Sequence, residues 1–100
     1  MNHARVNSIR QKAATYLQRI SDLEARVKDQ GIHERLKHAK FTVGDVEGVF
    51  LSQLEREQRT AEQEARWLSY TTMVLALAEF EINPIEDAVA KFGDGVVTKP

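Results

Sequence analysis

Cysteine is absent from this chain of 100 residues, which excludes disulfides, thiolate metal sites and thiol chemistry. It also removes any reason to place the chain outside the cell. Proline occurs twice and glycine five times, so there are few places to turn and much room for helix. Long apolar runs are missing as well. The most apolar stretch, residues 67–78, contains Ser69, Thr71 and Thr72, well short of the roughly 20 apolar residues that cross a bilayer. No apolar segment follows His3, Arg5 and Arg10 in the manner of a signal peptide. The expectation is a cytoplasmic chain without a membrane role.

A net charge of either sign is lacking too, but the value of −1 conceals an asymmetry. Residues 1–42 carry nine Lys/Arg against Asp22, Glu24, Asp29 and Glu34, whereas residues 43–100 carry five Lys/Arg against eleven Asp/Glu. Such a split points either to a polyanionic partner for the basic half or to pairing between the halves.

What is present is helical periodicity. Val6, Ile9, Ala13, Tyr16, Ile20, Leu23 and Val27 recur at alternating spacings of 3 and 4, an unbroken heptad seam. It predicts a helix over 2–30, stopped by Gly31 as a C-cap glycine. Residues 31–42 then read as a connector with a turn or two of helix. Thr42 with Asp45 makes a capping box and Phe41 with Val46 the matching hydrophobic staple, the clearest local signal in the chain, predicting a second helix over 43–82. Its best seam is Leu51, Leu54, Gln58, Ala61, Ala65, Leu68, Thr72 and Leu75. The Asn83-Pro84 pair predicts a short third helix over 84–92, Asn83 serving as N-cap. Residues 94–100 read as a flexible tail, with Val96 and Val97 able to dock. The charged stretch 55–66 holds no large apolar residue, but 67–82 is apolar nearly all round: Trp67, Leu68, Tyr70, Met73, Val74, Leu75, Leu77, Phe80 and Ile82. A helix without a polar face needs covering from several sides, so Trp67, Leu68, Val74, Leu75, Leu77 and Phe80 are expected to form an oligomer interface.

Residues able to carry catalysis or hold a metal are poorly arranged. His33 and His38 stand five apart, about 140° around a helix, too far to share one ion. They read as solvated or polar-capping residues. The pairs Glu55/Glu57, Glu62/Glu64 and Glu79/Glu81 are two apart and diverge by roughly 200°, and the serines lack a nucleophile-elbow context. Gly93-Asp94-Gly95 lacks the strand and Lys-Ser/Thr of a phosphate loop, and Gly44-x-x-x-Gly48 reads as a site of close helix packing. No cofactor, metal or catalytic residue is expected. The basic residues Arg5, Arg10, Lys12 and Arg19, extended by Arg35 and Lys37, form the candidate partner-binding set. Positive charge at a helix start opposes the macrodipole, so a counter-anion is expected there.

The expected fold is all-α: a long, coiled-coil-like antiparallel helical hairpin with a short C-terminal third helix, oligomerising into a helical bundle, most simply as a homodimer. The expected function is a non-catalytic protein-binding module, an adaptor or inhibitor favouring an acidic protein surface. A mobile-element origin is part of that expectation. The alternative is a nucleic-acid-binding regulator using the basic first helix, against which stands an acidic overall balance.

Overall fold

The computed structural model describes residues 2–93, which are almost entirely helical and contain no strand. The tail 94–100, with Val96 and Val97, lies outside the described residues. Helix α1 is His3–Arg26, α2 is Gln30–Asp45, a π-helical turn Val46–Leu51 leads into α3, Ser52–Arg56, and α4 is Ala61–Phe92. α2, the π turn and α3 follow one another without a break, so three rods pack into a body of 53 × 19 × 16 Å. α1, α2 and α4 each contact the other two. Pairs such as Glu24–Lys40, Arg10–Glu47 and His38–Glu81 run α2 antiparallel to both neighbours. Arg5–Ser69 and Arg19–Glu86 run α1 parallel to α4.

The first seam is confirmed residue by residue. Val6, Ile9, Ala13, Tyr16, Ile20, Leu23 and Val27 are all buried. Asn2 caps α1 by accepting from the Arg5 amide at 3.1 Å. The helix ends at Arg26 rather than at residue 30, and Gly31 is no stop. Asp29 adopts an extended backbone and accepts from the Ile32 amide at 3.0 Å, making it the N-cap of α2 with Gly31 inside the first turn. His33 Nε2–H donates to the Val27 carbonyl, satisfying a backbone acceptor that α1 leaves open at its end.

The connector expected at 31–42 is helix, and no helix begins at Val43. Leu36, Ala39, Val43 and Val46 are buried at spacings of 3, 4 and 3, so the seam runs straight through. Thr42 sits in mid-helix with its hydroxyl donating back to the His38 carbonyl at 3.1 Å. A capping box calls for Glu or Gln at the third position; Asp45 is a methylene too short. From Val46 the next buried residue is Leu51, five positions on. A single π turn, with its i to i+5 bonds, absorbs that step and keeps both side chains in the core.

The long second helix of 43–82 is interrupted at 57–60. Glu57 is extended, and Thr60 starts α4 with a complete capping box: its hydroxyl accepts from the Gln63 amide at 3.1 Å while the Gln63 side chain accepts from the Thr60 amide at 3.0 Å. Gln58, Ala61, Ala65 and Thr72 of the expected seam are exposed. In their place α4 buries Leu68, Thr71, Val74, Leu75, Ala78, Ile82, Ile85 and Val89. This stripe continues past Pro84, so the expected third helix over 84–92 is the last part of α4. Proline inside a helix costs about 3 kcal/mol. Burial of Ile82, Ile85 and Val89 on both sides of it offsets that cost, and Arg19 bonds to Asn83 and Glu86 across the same point.

Candidate functional site

The basic candidates are not gathered into one open patch. Arg10 is clamped by two carboxylates: its Nε donates to both oxygens of Glu47 at 2.9 Å, and Nη2 donates to Glu55. These bonds hold the guanidinium pKa above its ordinary value and tie α1 to the π turn and α3. Arg19 donates to Glu86 at 2.9 Å, Glu79 at 3.1 Å and Asn83 at 2.8 Å, and lies 5.3 Å from the centre of the Tyr16 ring. The guanidinium, followed by the Tyr16 hydroxyl, holds the Glu79 carboxyl below its usual range. Burial and then Glu79 push the Tyr16 phenol up. Arg5 donates to the Ser69 hydroxyl at 3.1 Å. Of these six, Lys12, Arg35 and Lys37 are exposed and make no hydrogen bond or ion pair among the described residues, Lys12 on α1 and the other two on opposite sides of α2. The charge asymmetry of the sequence is thus met in part inside the bundle, Arg10 and Arg19 of α1 against carboxylates of α4 and of the segment after α2.

The apolar candidates divide in two. Leu68, Val74 and Leu75, expected at an oligomer interface, are instead buried in the chain's own core. Trp67 is half-buried, its indole N–H donating to the Phe50 carbonyl at 2.7 Å and its ring lying under the Arg59 guanidinium at 4.6 Å. That contact braces the 57–60 turn, since Arg59 also donates to the Gln53 carbonyl at 3.1 Å. Leu77 and Phe80 point outward.

They do so in company. Tyr70, Met73, Leu77 and Phe80 are 49%, 51%, 55% and 73% exposed and recur at spacings of 3, 4 and 3. The all-round apolar segment is therefore two stripes, one facing the core and one facing away. Between residues 69 and 84 every exposed residue of α4 is uncharged: Ser69, Thr72, Ala76, Asn83 and Pro84 complete the face. Glu79 and Glu81 lie at its margins, only partly exposed, and are held by Arg19 and by His38 Nδ1–H at 3.0 Å. Charge returns at the ends, with Glu62 and Arg66 before the face and Asp87 and Lys91 after it. Tyr70 and Met73 were not singled out as interface residues because periodicity shows that two stripes exist only once the buried one is known. The heptad spacing of residues 70, 73, 77 and 80 was the available signal.

Such a face offers apolar area and a register. Among the described residues no group of three or more His, Asp or Glu is placed to hold a metal ion, and no helix is long and apolar enough to cross a membrane. Gly44 and Gly48 do not mediate close packing within the chain, since a Cβ at either would meet nothing within 4 Å. Comparison with protein-family models, curated proteins and solved structures finds no match for this chain.

Proposed function

We propose that this chain is a non-catalytic helical protein-binding module, working as a small adaptor or inhibitor, with the outer face of α4 as its docking surface. The observation that carries this reading is the uncharged strip of Tyr70, Met73, Leu77 and Phe80, exposed although the chain has a complete core without it. Two of the arginines that favoured an acidic protein or a nucleic acid, Arg10 and Arg19, are already engaged with Glu47, Glu55, Glu79 and Glu86. A phosphate would have to displace those carboxylates. The reading therefore moves from the basic face of α1 to the apolar face of α4.

Two variants separate the surfaces. Leu77→Asp with Phe80→Asp should abolish capture of protein from a native lysate while leaving far-UV circular dichroism unchanged. Lys12→Glu with Arg35→Glu and Lys37→Glu should leave capture intact. The opposite pattern would place the docking surface on the basic residues, and capture unaffected by either variant would defeat the proposal.

A further inference from the structure

We propose that the occupant of the α4 face is a second copy of this chain, its α4 laid antiparallel about a two-fold axis between Ala76 and Leu77. This inference rests on reading that face as a docking surface and adds an occupant and a register; a protein target competes with the second copy for the same residues. The order of charge along the face carries it. From the N-terminal end the exposed charged residues are Glu62, Arg66, then none until Asp87 and Lys91. Reversed and laid on itself, the pattern matches. Arg66 stands opposite the second copy's Asp87, and Glu62 opposite its Lys91. The same two-fold sets Met73 across from Phe80, Ala76 across from Leu77 and Tyr70 across from Asn83. A parallel pairing would instead set Arg66 on Arg66 and Asp87 on Asp87, like on like. The small side chains of Ser69, Thr72 and Ala76 beside the axis let two helices approach closely.

Residues 62–91 cover about 45 Å at 1.5 Å per residue. One helix face of that length is at the small end of stable interfaces, so the dimer should be concentration-dependent, with dissociation in the micromolar range. Arg66 already forms an exposed pair with Glu62 of its own helix at 3.2 Å, and the second copy converts two such ends into four-residue clusters. Within one helix Arg66 and Asp87 are separated by about 30 Å. Any rescue of one by the other must come from a different copy.

Sedimentation equilibrium on the full chain tests this. Wild type should move from monomer toward twice the monomer mass as concentration rises to about 100 µM. Arg66→Glu and Asp87→Arg should each weaken self-association roughly tenfold, because each puts like charges together twice in the symmetric dimer. An equimolar mixture of the two variants should restore association near the wild-type level, since every facing pair is then opposite in charge. A mixture no tighter than its components, or wild type that stays monomeric throughout, overturns the proposal. If wild type is monomeric and Leu77→Asp with Phe80→Asp still loses a partner from lysate, self-association falls while the protein-binding reading stands. If that variant loses nothing either, both fall.

Discussion

Arg19 is the side chain with the most work placed on it. It lies in α1 yet reaches three residues of α4, two of them flanking Pro84, and its guanidinium stacks near the Tyr16 ring. Exposed ion pairs are worth little, but a multidentate, three-quarters-covered arginine is a stronger case. Arg19→Met should lower unfolding stability by about 1–2 kcal/mol in urea titration. Its carboxylate partner adds a pH dependence. The Glu79 carboxyl is held below its ordinary range when folded, so its contribution is complete above that range and disappears as pH falls through and below it. Glu79→Gln should therefore flatten the acid limb of stability against pH, a change visible in thermal melts taken across the acid range. Gly44 and Gly48 carry the opposite sign. Both lie in helical backbone facing open space, so Gly44→Ala and Gly48→Ala should each raise stability by about 0.5–1 kcal/mol. A loss on either substitution would mean that something packs against that glycine in solution.

At the scale of elements, the helix starts give a matched pair of tests. Thr60→Ala removes a working capping box and should cost about 1 kcal/mol. Thr42→Ala removes only a back-bond to the His38 carbonyl, so it should be neutral or slightly stabilising in the same denaturation assay. The two threonines also show what the sequence discloses. The first seam was legible to the residue because every member of a plain heptad faces one core. The second region misled because Thr42-x-x-Asp45 imitates a cap that only Glu or Gln completes, while the authentic Thr60-x-x-Gln63 sits in a charged stretch with no apolar residue to draw attention to it. The five-residue step from Val46 to Leu51 breaks helical phase, and only a π turn reconciles it. Pro84 looks like a boundary locally, yet Ile85 and Val89 keep the helix going through burial that local propensity does not contain. The candidate site was half legible: Leu77 and Phe80 were recognised, but Leu68, Val74 and Leu75 could be assigned inward only once the third rod was in place.

On the scale of the whole molecule, three rods arranged down and back and down again bury a continuous core and leave one long face of α4 apolar. Arg10 and Arg19 of α1 tie the rods together, and the outer face of α4 stays exposed. In the proposed dimer two copies meet there, antiparallel and centred next to Ala76. Because the chain has no cysteine of its own, a single introduced thiol reports that geometry without background. Disulfides form only where Cα atoms come within about 7 Å. The decisive measurement is the oxidative cross-linking rate of Ala76→Cys against Ala14→Cys, an exposed control on α1. The proposed dimer should give rapid, concentration-dependent formation of a disulfide dimer at residue 76 and slow cross-linking at residue 14. Equal rates at the two positions, or no cross-link at residue 76, would contradict it.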